Sequence, residues 1–155
     1  MSGRLVREIR QGKPFASLEE EAALNLWRTS AAVEQAWAEA LKPHGLSVTQ
    51  YNALRILRGA GAAGIACQEI AVRMIRRDPD ITRLLGRLEA RGFILRQRSP
   101  EDRRVILTRI RPAGIRLLAS LDAVVRRVPK RVLGHLGAKR VRLLTRLLED
   151  ARSRN

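Results

Sequence analysis

Residues 81–105 read ITRLLGRLEARGFILRQRSPEDRRV, and their order decides the fold. Ile81, Leu84, Leu85 and Leu88 recur at helical spacing and define one apolar face. Gly92 stands where a helix ends in the left-handed region. Residues 93–98 and 105–110 have the character of short strands, and Ser99-Pro100-Glu101-Asp102 between them is turn chemistry. A helix able to enter a groove, followed by an arginine-bearing hairpin able to grip the backbone beside it, points to DNA binding.

The face of that helix opposite its apolar side carries Thr82, Arg83, Gly86, Arg87 and Ala90. A glycine inside a helix costs about 1 kcal/mol relative to alanine. On a groove-facing surface the small residues let the backbone approach the base edges. Arg83 and Arg87 then reach bases or phosphates, guanine being the preferred partner of a bidentate arginine. Thr82 is placed for a thymine methyl or a phosphate. Asp80, in the first turn, complements the helix dipole, and a sharper role is accepting from cytosine or orienting Arg83 or Arg87. Arg76 and Arg77 precede the helix as phosphate contacts. In the hairpin, Arg96 and Arg98 are two residues apart and share a strand face. Arg103 is the residue expected in the minor groove, and Arg104 a backbone contact. Asp102 is expected to hold a wing arginine in shape. An ordinary solvated helix face is the bland alternative, and the adjoining wing weighs against it.

Outward from this stretch, Ser47 with Gln50 forms a capping box ahead of Val48, Tyr51, Leu54 and Leu57. A short helix is expected from Cys67 to about Ile75. Asp78-Pro79 reads as an N-cap followed by proline at the first helical position. Ser17 with Glu20 is a second capping box, opening a helix of about 25 residues that ends near Pro43 and Gly45. Residues 1–16 lack a sustained period and read as an arm or a loosely docked segment. Pro112 opens a helix with the seam Ile115, Leu118, Leu121, Val125 and Val128, which Pro129 is expected to kink or interrupt. Gly134 and Gly137 bracket a break before a last helix with Val141, Leu144, Leu147 and Leu148. The fold class is mostly α with a small β-hairpin wing, a winged helix-turn-helix flanked by N- and C-terminal helices.

Composition agrees. The 155 residues carry a net charge of +16, with 31 Lys and Arg against 15 Asp and Glu. The charge is clustered: residues 1–46 are net neutral, while residues 76–116 and 117–155 each carry +7. A uniformly sticky polycation would not leave its N-terminal third neutral. The single cysteine, Cys67, excludes an internal disulfide framework. No apolar run is long enough to span a bilayer, and no signal-type segment opens the chain, so a cytoplasmic protein with no membrane partner is expected. No nucleophile elbow, phosphate-cradling loop or metal-ligand spacing appears, so no enzyme, cofactor or metal is expected.

Several segments together resemble the MarR family of bacterial transcription regulators: LSVTQYNALRIL (residues 46–57), QEIA (68–71), ITRLLGRLEARG (81–92), SPEDRRV (99–105) and PAGIRLL (112–118). The resemblance implies a homodimer binding double-stranded DNA at a palindromic operator, usually as a repressor, with release by a small-molecule effector or oxidant. It divides the chain into an N-terminal arm (1–16), a dimerisation helix (17–45), a winged helix-turn-helix lobe (46–111) and C-terminal dimerisation helices (112–155). The implied dimer interface draws on Leu26, Val33, Trp37, Ile115, Leu118, Leu121, Val125, Val141, Leu144 and Leu148. The implied effector pocket draws on Trp27, His44, Tyr51 and Arg55, although core or dimer packing is the simpler account of the tryptophan. Cys67 at a helix start is the candidate redox group, with a small buried or half-buried residue as the simpler reading. The action would be in the bacterial cytoplasm, on the nucleoid. The sequence departs from the family at Gly86, where an acidic residue that supports the wing is frequent. It also departs at Ile75-Arg76 in the turn before the recognition helix and at Ile110-Arg111 before the following helix. A non-specific architectural nucleic-acid binder is the alternative, separable by sequence preference at physiological salt.

Overall fold

The computed structural model describes residues 3–153; the outermost parts of the expected arm (residues 1–2) and last segment (154–155) lie outside the described residues. The chain forms two compact units, which divide between Ala36 and Trp37.

The first unit contains helix α1 (Arg4–Glu8) and most of helix α2 (Leu18–Leu41). Within the segment read as an arm, the short helix α1 was not expected. A helix of five residues is too short to show a period, yet Leu5 is buried and Arg4 pairs with Glu8 at 2.9 Å. Helix α2 opens with half of the expected capping box, the Glu20 carboxylate accepting from the Ala16 amide in place of that of Ser17. Ser17 Oγ accepts from the Glu20 amide at 3.1 Å, and Glu19, Glu20 and Glu21 fill the first turn.

The second unit starts with the end of α2 and a 3-10 turn (Lys42–His44). Helix α3 (Val48–Ala60) begins with the complete capping box: Ser47 Oγ accepts from the Gln50 amide at 3.1 Å, and Gln50 Oε1 accepts from the Ser47 amide at 3.0 Å. Then follow strand β1 (Ile65–Ala66), helix α4 (Cys67–Arg73), helix α5 (Ile81–Ala90), strands β2 (Ile94–Arg98) and β3 (Ile106–Ile110), helix α6 (Pro112–Leu133), a 3-10 turn (Gly134–Leu136) and helix α7 (Gly137–Arg152). Among the described residues the sheet is three-stranded and antiparallel, in the order β1-β3-β2. Its hairpin register pairs Ile94 with Ile110 and Arg98 with Ile106. Strand β1 was not expected, because two residues cannot display a two-residue alternation.

The core is built by Leu54 and Leu57 of α3, Ile70 of α4, Leu85 and Leu88 of α5, Ile94 of β2, and Leu118 and Leu121 of α6. Helix α6 brings a correction. Leu118, Leu121 and Val125, expected at a dimer interface, are buried in this chain's own core. The apolar period of α6 shows that one face is covered, but not by what, and here α3 and the winged lobe cover it. Ile115 stays exposed. Gly114 permits the close approach of α6, since a Cβ there would stand 2.6 Å from the Phe93 carbonyl oxygen. Pro129 does not interrupt the helix, which continues to Leu133 with buried Val125 and Val128 holding it against the core side. Among the described residues, no helix is long and apolar enough to cross a membrane.

Candidate nucleic-acid interface

Three local devices fix the groove helix α5. At its start, Asp80 rather than Asp78 is the N-cap: Asp80 Oδ1 accepts from the Arg83 amide at 3.0 Å. Asp78 instead accepts from the Asp80 amide at 2.9 Å and closes the preceding turn, leaving Asp80 in a non-helical conformation. The Asp80 carboxylate is thus committed to the helix start, where the dipole also favours it. At the other end Gly92 has φ +73°. Its amide donates to the Glu89 carbonyl at 2.8 Å and the Phe93 amide donates to the Leu88 carbonyl at 3.1 Å. This pairing is a Schellman motif, which turns the chain directly into β2.

The third device lies on α3. Asn52 is buried, and its Oδ1 accepts from the Ile75 amide at 2.9 Å, pinning the turn that leads from α4 toward α5. Sequence reasoning missed Asn52. Its signal was a polar residue between Tyr51 and Leu54, inside a stretch that is otherwise core. Arg76 and Arg77, just past this anchor, are exposed.

With Leu84, Leu85 and Leu88 buried, α5 turns Thr82, Arg83, Arg87 and Ala90 to solvent, with Gly86 half-buried between them. Arg83 and Arg87 stand one turn apart, separated by about 6 Å along the axis. The result is a shallow surface flanked by two long cationic forks, a shape suited to a helix lying deep in a major groove.

The hairpin differs from expectation in two respects. Arg96 faces back onto α5: Glu89 Oε1 accepts from the Arg96 amide at 2.9 Å, and Glu89 Oε2 accepts from Nε and from Nη2, each at 2.8 Å. Arg96 is therefore a strut between recognition helix and wing, and is removed from the expected DNA contacts. Glu89 thereby ties α5 to the wing strand β2. The Glu89 carboxyl is held below the usual carboxylate range, chiefly by the side-chain hydrogen bond from Arg96 and then by the Arg96 amide.

The second difference is Asp102. It organises backbone, not an arginine side chain: Oδ1 accepts from the Arg104 amide and its carbonyl from the Val105 amide, each at 2.9 Å. Ser99 is buried at the base of the same turn, its amide donating to the Val105 carbonyl at 2.8 Å. Arg98, Arg103 and Arg104 are exposed on this pre-shaped tip, Arg98 Nη1 lying 3.5 Å from the Arg103 carbonyl. Arg109 braces the sheet from within, donating to the Ala63 carbonyl at 3.1 Å and to Gln97 Oε1 at 3.4 Å.

The residues expected at an effector pocket fall in different surroundings. Trp27 belongs to the first unit, where it is 75% exposed and lines an apolar groove with Leu5, Ile9, Leu24, Arg28 and Ala31. In the second unit Tyr51 is buried and stacks on Trp37, with ring centroids 5.6 Å apart. Burial pushes the Tyr51 hydroxyl up from its usual range, against the partial pull of Arg55 and Arg58. Arg55 is exposed, and His44 sits half-buried in the 3-10 turn. Cys67 is the first residue of α4, half-buried against the core.

Comparison with known proteins matches residues 46–106 to the MarR family model. A solved MarR transcription factor from Planctomyces limnophilus is 44% identical, with a TM-score of 0.69 over 87% of this chain and 98% of that one. An HTH-type transcriptional repressor of Mycobacterium tuberculosis (strain H37Rv) is 29% identical, over 80% of this chain and 88% of its own length. The fold is also that of a mutant Escherichia coli MarR complexed with operator DNA, which is 22% identical, with a TM-score of 0.78 over 88% of this chain and 99% of that one.

Proposed function

The chain belongs to the MarR family and is a DNA-binding transcription regulator, not an enzyme, and on that premise we propose that it is a homodimeric repressor reading a palindromic operator. The observation that carries the reading is the α5 surface, where Arg83 and Arg87 flank Gly86 and Ala90 between the exposed Arg76–Arg77 pair and the arginine-tipped wing. Arg83 and Arg87 read base edges in the major groove. Thr82 touches a thymine methyl or a phosphate, and Arg76, Arg77 and Arg104 hold phosphates. Arg103, at the wing tip, enters the adjacent minor groove with Arg98 beside it. The DNA-bound Escherichia coli relative supports this docking, and the Mycobacterium tuberculosis relative supports the sign of regulation.

The homodimer draws on apolar residues that the chain leaves uncovered or half-covered: Leu26, Val33 and Ile115, and on α7 Val141, Leu144 and Leu148 with exposed Leu143 and Leu147. Two α5 helices related by a two-fold axis would then meet half-sites about 34–36 Å apart. Sedimentation at several concentrations tests this, and a concentration-independent monomer rejects it. Release by a small-molecule effector belongs to the same reading and is tested by ligand-dependent loss of operator binding.

Selection of bound duplexes from random DNA, followed by competition at physiological salt, tests the function itself. A regulator prefers its selected site by about 10³-fold or more. An architectural binder shows a steep salt slope and almost no preference.

A further inference from the structure

The groove face and wing leave a second concentration of charge unused. From Arg126 to Arg146 the chain carries Arg126, Arg127, Lys130, Arg131, Lys139, Arg140, Arg142 and Arg146 and not one acidic residue. All eight are exposed, on the C-terminal half of α6 and the first three turns of α7. On α6 the basic positions lie on the side opposite the buried Leu118, Leu121, Val125 and Val128. On α7, Lys139, Arg142 and Arg146 share a face away from the half-buried Val141, Leu144 and Leu148. Arg131 pairs with Glu39 at 3.5 Å; the other seven form no ion pair among the described residues.

This arrangement works against the helices that carry it. Arg126 and Lys130, Arg127 and Arg131, and Arg142 and Arg146 are like charges four residues apart, which destabilise a helix. Lys139 and Arg140 sit in the first turn of α7, which contains no acidic residue and no side-chain cap, so they oppose the dipole. A solvated helix face has no physical need of such a pattern, whereas a polyanion reverses its sign.

We propose that the basic sides of α6 and α7 bind the phosphate backbone of a second DNA duplex. Arg126 lies about 21 Å along α6 from Pro112, where the chain leaves the wing sheet. That exceeds the screening length of about 8 Å at physiological salt, so these charges act independently of those at the wing. Duplex DNA carries about one negative charge per 1.7 Å of axis, the dense regular array that six arginine forks and two lysines suit. The exposed apolar residues on the basic side of α6, Ala119 and Ala123, are too small to anchor it in a lipid surface, and the exposed Ile115, Leu143 and Leu147 are the residues proposed above for the dimer. The proposal goes beyond operator reading and rests on it only in taking duplex DNA as the polyanion.

The test uses the full chain with two labelled duplexes, one a short duplex from random-site selection and one of unrelated sequence. Energy transfer between the labels reports a ternary complex. The wild type should bring the two together at about 0.1 M salt, and the variant R126Q/R127Q/K130Q/R142Q/R146Q should hold the second duplex at least tenfold more weakly. Its affinity for the selected duplex should stay within about twofold, and its thermal midpoint should not fall, since like charges have been removed. Three outcomes overturn the proposal: no ternary complex with the wild type, an equally stable one with the variant, or equal weakening on both duplexes. Retention on anionic phosphatidylserine vesicles in place of a second duplex also overturns it. Bridging lost in the variant while the wild type shows no sequence preference would leave this proposal standing and reject the operator reading.

Discussion

The arginines of α5 and the first arginine of β2 stand in opposite surroundings. On α5, Arg83 and Arg87 are exposed and flank a patch of minimal side chains. On β2, Arg96 is drawn onto Glu89 through its amide, Nε and Nη2. The first are the residues proposed to meet DNA; Arg96 is spent on geometry. Arginine count is therefore a poor measure of an interface. What distinguishes a reader from a strut is whether a carboxylate stands within reach once the chain has folded.

If that distinction holds, the two must fail differently. Replacing Arg83 and Arg87 together by Ala should give the largest effect, each change costing about 1–3 kcal/mol on the selected site. Little change is expected in thermal stability, and calorimetry beside a binding titration separates the two. Asn52→Ala comes next. It frees the Ile75 amide and should lower stability by roughly 1–2 kcal/mol, read by urea unfolding. Operator affinity should fall with it, because the turn before α5 loses its anchor. Glu89→Gln should lower stability by about 1 kcal/mol, a modest figure because the Arg96 and Glu89 side chains are 26% and 33% exposed. Binding should weaken through wing placement, and the swapped pair E89R/R96E should recover part of it. A strut without influence on binding would leave affinity unchanged in all three forms.

The same carboxylate sets a pH dependence. Its folded-state pKa is depressed below the ordinary 4.5, so the stabilisation is complete above that value and is lost as pH falls through the lower folded one. The stability gap between wild type and Glu89→Gln should therefore be flat near neutrality and close on acidification below about pH 4.5. The smallest effect is expected from Gly86→Ala. A Cβ there meets only Arg96 Nη2 at 3.7 Å, an ordinary contact. Helix propensity then stabilises the fold by up to about 1 kcal/mol. Operator affinity should drop in the same variant, because the added methyl stands on the groove face. A gain in both would show that Gly86 serves no groove contact.

The parts of this architecture legible in the sequence are those set by local chemistry. Ser47 with Gln50, Gly92 at the end of α5 and the Ser99–Asp102 turn each close hydrogen bonds within a few residues. Periodicity located the apolar face of α6 but could not name its cover, which is why Leu118, Leu121 and Val125 were expected between subunits. Strand β1 becomes a strand only because Thr108 and Leu107 lie beside it. The Glu89–Arg96 strut escaped for a related reason. The two residues meet only because the Schellman turn at Gly92 folds β2 back along α5, and sequence spacing carries no trace of that return.

The central claim is that α5 reads guanines in the major groove as one of two symmetric copies. Methylation interference on the site-selected duplex tests it most directly, since a methyl on guanine N7 blocks that edge alone. The account predicts loss of binding at two clusters of guanines whose centres lie about 10–10.5 base pairs apart. Binding indifferent to N7 methylation anywhere in the selected site would contradict it.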